Sequence, residues 1–299
     1  MMKKLIFIFS LLLFNPALAQ VNVFSCEPEW SSLLSELGGT DVNIYTATTA
    51  LQDPHHIQAR PSLIAKIRRA DLIVCTGAGL EAGWLPVLLR RSANPKIQQG
   101  NPGHFMATQY VQLMDKPAVL DRASGDIHAS GNPHIHTNPE NIKKVAIALA
   151  QRLSTVAPAK KINFNDNLKL FLQRWDKATI VWNQRAKKLY NMPVVTQHQG
   201  WSYLIKWLHL KEIARLESKP GIPPSTSHLM SIVSTLDNTP AQAIIRSAYQ
   251  SDKASTWLHE RTKLPVVVLP YTVGGSEKAV DLFSLFDETL HLLEKVNHE

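Results

Sequence analysis

Several features are missing from this chain, and each absence removes a class of function. Beyond the first 20 residues no apolar run approaches the ~18 residues that a membrane-spanning helix needs, so the mature protein is expected to be soluble. There is no G-x-S-x-G elbow, no P-loop and no H-E-x-x-H helix, which removes the commonest signatures of serine hydrolases, nucleotide binders and zincins. Charge of one sign is scarce too. The net charge of +8 is spread along the chain, and its densest spots ("KIRRAD", "LLRRSA", "APAKK") lack the interleaved aromatics of a nucleic-acid groove. No nucleic-acid partner is expected. There is no low-complexity segment and no short-period repeat. Cysteine is limited to Cys26 and Cys75.

The first 20 residues carry a different signal. Lys3 and Lys4 precede the apolar run Leu5–Phe14, and "NPALAQ" offers Ala17 and Ala19 in an A-x-A cleavage arrangement. This reads as a secretory signal peptide, residues 1–19, and implies an exported protein, with a bacterial periplasm as the expected compartment. No Cys follows Ala19, so no lipid anchor is expected. In an oxidising compartment two cysteines invite pairing. Cys26 ends "VNVFSC" and Cys75 ends "DLIVC", so if both segments are parallel strands the thiols share one sheet edge. A Cys26–Cys75 disulfide is favoured over two separate buried thiols.

With 44% hydrophobic residues the chain can fill one large core or two moderate ones. The first half alternates strand and helix: "VNVFS", "EPEWSSLLSELGG", "DVNIYTA", "RPSLIAKIRRA", "DLIVCTG", "LEAGWLPVLLRRS" (interrupted by Pro86) and a fourth strand in "PAVLDRA", residues 117–123. Such alternation predicts a parallel sheet covered by helices, with ligands at the carboxyl ends of the strands. After the helix "NPENIKKVAIALAQRLSTVAP", apolar residues recur at Phe164, Leu168, Phe171, Trp175, Ala178, Trp182, Ala186 and Leu189. Spacings of three and four predict one continuous helix of roughly 39 Å, the width of a domain. The alternation then resumes through "MPVVTQH", "WSYLIKWLHL", "TSHLMSIVSTL", "AQAIIRSAY", "LPVVVLPY" and a final helix. The expected organisation is an N-terminal α/β lobe (20–160), a rigid linking helix (161–190) and a C-terminal α/β lobe (191–299).

Twelve histidines are many for this length. His55 in "LQDPHHIQARPS", His134 in "GNPHIHTNP" and His198 at the end of "MPVVTQH" all fall just past strands, across both lobes. The first two follow proline, which limits backbone freedom and holds the imidazole ready. A lone loop histidine usually bonds to backbone. Three at ligand-bearing strand edges point instead to a borderline-soft metal site suited to zinc, copper or nickel.

Together "DPHHIQARPS", "NPHIHTNPENI", "VVTQHQGWSYL" and "KPGIPPSTSHL" resemble, in family order, the signature blocks of the zinc- and manganese-binding periplasmic solute-binding proteins of metal ABC transporters. The resemblance spans essentially the whole mature chain. It implies two Rossmann-like α/β lobes with parallel sheets, joined by one long rigid α-helix, and a metal in the cleft between them. It also implies a high-affinity carrier, not an enzyme, that delivers metal to an inner-membrane ABC permease. The carried-over ligands are His55, His134 and His198. His198 stands where manganese-type members use a carboxylate, so the resemblance favours Zn2+ over Mn2+. A monomer is expected.

The chain departs from the family in two places. The long His- and acid-rich loop of zinc-type members is absent, with only His128 in its place. The usual Asp after a second-lobe strand is also missing, and Tyr271 in "VVVLPYTVGG" falls near that position. Zinc wants about four ligands, so the fourth is expected from Tyr271, Glu277, Asp281, a spare histidine or water. A three-His zinc with water would also suit an exported hydrolase, with Glu277 or Asp281 as the available base. Glu81 is either an orienting partner or a helix N-terminal charge. His56 is expected to point elsewhere, Asp53 to shape a turn, and His136 to pack or to support a ligand. Asp126 and His128 read either as loop structure or as a transfer site, with loop structure favoured.

Overall fold

The computed structural model describes residues 19–117, 125–126 and 128–297. All of the expected signal peptide except Ala19 lies outside them. Four parallel strands open the chain: β1 (Val21–Ser25), β2 (Val42–Thr46), β3 (Leu72–Cys75) and β4 (His104–Met106), in sheet order β2-β1-β3-β4. The second sheet repeats the plan with β5 (Pro193–Thr196), β6 (Lys211–Arg215), β7 (Ala243–Ser247) and β8 (Val266–Leu269), in order β6-β5-β7-β8. In both sheets the strand order reverses beside the first strand. A crevice opens there at the carboxyl ends, where such sheets take their ligands.

The helices are α1 (Pro28–Gly38), α2 (Pro61–Arg68), α3 (Leu85–Ser92), α4 (Pro139–Val156), α5 (Lys161–Ala186), α6 (Ser202–Leu208), α7 (Thr226–Asn238), α8 (Lys253–Thr262) and α9 (Leu282–Asn297). Proline sits in the first turn of α1, α2, α3 and α4, where its fixed φ suits the helix and its missing N–H costs nothing. That placement corrects one expectation. Pro86 does not interrupt a longer helix; it opens α3, and residues 79–84 form turns. The strand expected at 117–123 lies outside the described residues except for Pro117, and the fourth strand of the first sheet is the earlier "HFM" of β4. The final helix starts at Leu282, so Glu277 and Asp281 precede it.

Helix α5 runs 26 residues without a break and ends in a short 3-10 turn, Lys187–Leu189. Its buried residues Phe164, Phe171, Trp175, Thr179, Trp182 and Ala186 recur at the predicted spacing. Trp175 stacks on Phe171 with ring centres 5.1 Å apart, and meets Trp182 at 5.1 Å and Phe283 of α9 at 5.0 Å. One buried apolar cluster runs from β1, α1 and α4 through α5 into α6 and α9. The lobes therefore share a core, and α5 is built into both. Losing one of its buried tryptophans should cost about 3–5 kcal/mol. Among the described residues no helix is long and apolar enough to cross a membrane.

Cys26 leaves β1 and Cys75 ends the neighbouring β3, with Cα atoms 4.8 Å apart, and they form a disulfide as expected. It staples the carboxyl edge of the first sheet beside the cleft.

Candidate metal centre

His55 follows β2, His134 caps the short 3-10 turn Ile135–Thr137 ahead of α4, and His198 lies two residues past β5. The fold draws all three into the cleft. The rings of His55 and His134 are 5.7 Å apart, those of His55 and His198 6.1 Å, and those of His134 and His198 5.5 Å. All three are buried, His134 to 1% exposure.

Each Nδ1 has its own acceptor. His55 Nδ1 lies 2.8 Å from Asp53 Oδ1, His134 Nδ1 2.7 Å from Asn132 Oδ1, and His198 Nδ1 2.7 Å from Glu217 Oε2. A carboxylate can only accept, so the protons of His55 and His198 sit on Nδ1. For His134 the amide orientation decides. Asn132 Nδ2 donates to Asp115 Oδ2 and to the Gln199 carbonyl, which turns its Oδ1 towards the imidazole. With Nδ1 protonated, each Nε2 carries the lone pair, the tautomer metal-ligating histidines use. His134 Nε2 is buried and has no hydrogen-bond partner.

A fourth imidazole joins them. His128 Nε2 lies 3.2 Å from His55 Nε2, and one ligand atom each from His55, His128 and His134 fit within 4.8 Å of one another. Two nitrogens on a tetrahedral zinc, with Zn–N near 2.05 Å, stand about 3.3 Å apart. Burial, then the neighbouring His55 and His198, pushes the His128 pKa down to about 4. Burial and the same imidazole crowd hold His134 well below the usual histidine range. Both rings thus stay neutral, the form that binds metal.

The other candidates are placed elsewhere. Tyr271 is buried beside His134, rings 5.8 Å apart, and burial raises its pKa well above the usual phenol value, so it stays a neutral wall. Asp281 caps α9, accepting from Ser284 N–H and Oγ, and lines a separate groove with Ser31 and Thr46. Glu277 is exposed. Glu81 is buried and takes the N–H groups of Thr76 and Gly77. His136 turns away, its Nε2 on the Tyr271 carbonyl and its Nδ1 3.4 Å from Glu29. His56 is exposed and faces Asp126.

Two roles were not legible in the sequence. Asp53 does shape its turn, accepting the His55 N–H, but the same oxygen also orients the His55 ring; burial opposes ionisation there, and the His55 hydrogen bonds outweigh it, leaving the Asp53 pKa lowered. His128 comes from "SGDIHASG", which has no Pro-His signature. Its hydrogen-bonding partner His55 lies 73 positions away in sequence, and only the absence of a carboxylate near Tyr271 hinted that another histidine was needed. A cavity of about 560 Å³ opens beside this cluster, lined by Asp53, Gln197, His198, Glu217, Tyr249 and Trp257 among others.

The family model of zinc-uptake complex component A, periplasmic, matches residues 23–296. Among relatives, the chain is 22% identical to the metal ABC transporter substrate-binding lipoprotein ScbA of Streptococcus cristatus over 283 residues, covering 93% of this chain and 88% of that protein. It is 23% identical to the zinc-binding lipoprotein AdcA of Streptococcus pneumoniae over 198 residues, 65% of this chain and 38% of AdcA. Among solved structures, ZnuA superposes with a TM-score of 0.75 at 18% identity, covering 93% of this chain and 98% of that one. A manganese-bound periplasmic metal-binding protein of Candidatus Liberibacter asiaticus gives 0.74 at 16%, covering 93% and 100%. The family match extends over both lobes and the linking helix and contains every histidine of the cluster. The chain belongs to the zinc-uptake complex component A family, the metal-binding components of ABC transporters.

Proposed function

We propose that His55, His128, His134 and His198 bind one zinc ion in the periplasm, which the protein hands to the membrane permease of an ABC importer. The observation that carries this is His134 Nε2: a buried ring nitrogen without a partner, its tautomer fixed so that a lone pair faces three other imidazoles. Leaving such an atom unsatisfied costs about 1–3 kcal/mol, and a metal ion recovers it. Four neutral nitrogen donors without a carboxylate favour zinc over manganese, which prefers oxygen. One ligand comes from the second lobe and three from the first, so binding pins the lobes together. The hydrolase reading finds no support: Asp281 caps a helix, Glu277 is exposed, and the family is that of a transport component. Titration of the mature protein with zinc and with manganese tests the proposal. Tight zinc binding that weakens on replacing any of the four histidines is expected. Stronger manganese than zinc binding would overturn the choice of ion, and unchanged zinc affinity in all four variants would overturn the site.

A further inference from the structure

One peptide group of the second lobe is hydrogen-bonded both to the support of His198 and to the segment that carries His128. Lys219–Ile222 is a β-turn, closed by Ile222 N–H on the Lys219 carbonyl at 3.1 Å, with Pro220 followed by Gly221 at φ 73°. These are the residues a type II turn calls for, and that turn aims its central peptide outward. The N–H of this Pro220–Gly221 peptide donates to Glu217 Oε2 at 2.9 Å. Its carbonyl accepts from Asp126 N–H at 2.9 Å. Glu217 Oε2 is also the atom that orients His198, and Asp126 lies two residues before His128.

The approach of the two segments is close. A Cβ on Gly125, itself at φ 76°, would lie 2.1 Å from the Pro220 carbonyl oxygen, and a Cβ on Gly221 would lie 2.1 Å from Asp126 Oδ2. A turn needs glycine at one position for its own conformation. Two glycines from different lobes, each leaving room for the other's segment, describe a fitted contact.

We propose that Glu217 is a positioning residue for both lobes' ligands, orienting His198 directly and, through the Pro220–Gly221 peptide, seating the segment that carries His128. This rests on the reading that His128 and His198 share one ion. Linked hydrogen bonds polarise and support one another, so opening the contact frees a ligand without removing one. The consequence is a faster loss of zinc, with arrival little changed.

The test uses the mature protein and zinc itself, with dissociation followed after addition of excess chelator and the ligand set read from the cobalt(II) spectrum. Gly125→Ala forces two backbones apart and is expected to speed zinc loss by about 10-fold or more, the lower range for supports of metal ligands. Its cobalt spectrum should shift towards that of His128→Ala. The double variant Gly125→Ala/His128→Ala should lose zinc no faster than His128→Ala alone. Gly221→Ala should act more weakly, because its Cβ meets a movable carboxylate. Glu217→Ala should speed zinc loss, with Glu217→Gln restoring part of it by keeping an acceptor. A folded Gly125→Ala protein with an unchanged rate, or additive effects in the double variant, would overturn the proposal while leaving the four-histidine site intact. If Gly125→Ala does not fold, the same additivity test on Glu217→Ala with His128→Ala decides the matter. Unchanged binding in His128→Ala would instead overturn the ligand set, and the proposal with it.

Discussion

The two lobes use one strand order and diverge in what they add to it. The first sheet is stapled by Cys26–Cys75, and its loops bring His55, His128 and His134 to within a few ångströms of each other. The second has no disulfide and supplies His198 alone, held by Glu217 at the end of the neighbouring strand β6. The same crevice at the point of strand reversal holds three gathered histidines on one side and His198 on the other. Fold therefore determines where ligands can stand, and loop chemistry determines how many do.

That contrast can be broken at several strengths. The largest effect is expected from Cys26→Ser with Cys75→Ser. Their bridge spans a sequence separation of 49, and releasing it should cost about 4 kcal/mol, measured by urea unfolding of the metal-free protein. Next is His134→Ala. Structural zinc sites bind with about 10–16 kcal/mol, so one of four ligands carries roughly 3 kcal/mol, and zinc affinity should fall by about 100-fold, read by chelator competition. If His198→Ala cost more than His134→Ala, the first lobe would not be the gathered half.

Asn132→Ala should follow, with a loss of about 10-fold in zinc affinity, because it frees the His134 ring to take either tautomer while leaving all four ligands present. The smallest effect concerns the buried acids behind the disulfide. Burial, then the Glu81 and Glu29 charges, raises the Glu27 pKa well above the usual carboxylate value, and its Oε1 has no partner. A proton on Glu27 removes its buried charge and can be donated to the neighbouring Glu81 carboxylate. Because the folded pKa exceeds the unfolded one, Glu27's contribution is complete below the ordinary carboxylate range and is lost as pH rises through the raised value. Glu27→Gln should therefore stabilise the protein at pH 8 more than at pH 4, flattening the slope of stability against pH. An equal shift at both pH values would show that folding leaves the Glu27 pKa unchanged.

Much of this was readable beforehand for physical reasons. Helix α5 announced itself because a helix packed along its length must repeat its aromatics every three or four residues. His55 and His134 stood out because proline rigidifies the backbone that presents them. Strands β4 and β6 escaped notice for the opposite reason. "HFM" is too short to show a period, and "KEIAR" is a charged edge strand whose Glu212 and Arg215 pair with each other. Asp281 looked available as a ligand because a sequence does not reveal that Ser284 will claim its carboxylate. His128 depends on contacts with His55, 73 positions before it, and with His198, 70 positions after it, and local spacing carries no trace of them.

The apolar core that passes through α5 into both lobes has a thermodynamic consequence. Neither lobe can melt without exposing the aromatic ladder that the other also covers, so the two should unfold in one cooperative transition. An ion bound in the cleft then stabilises the entire chain, by about 4 kcal/mol at a free concentration a thousand times its dissociation constant. Binding at one cleft therefore raises the cost of opening segments that never touch the metal.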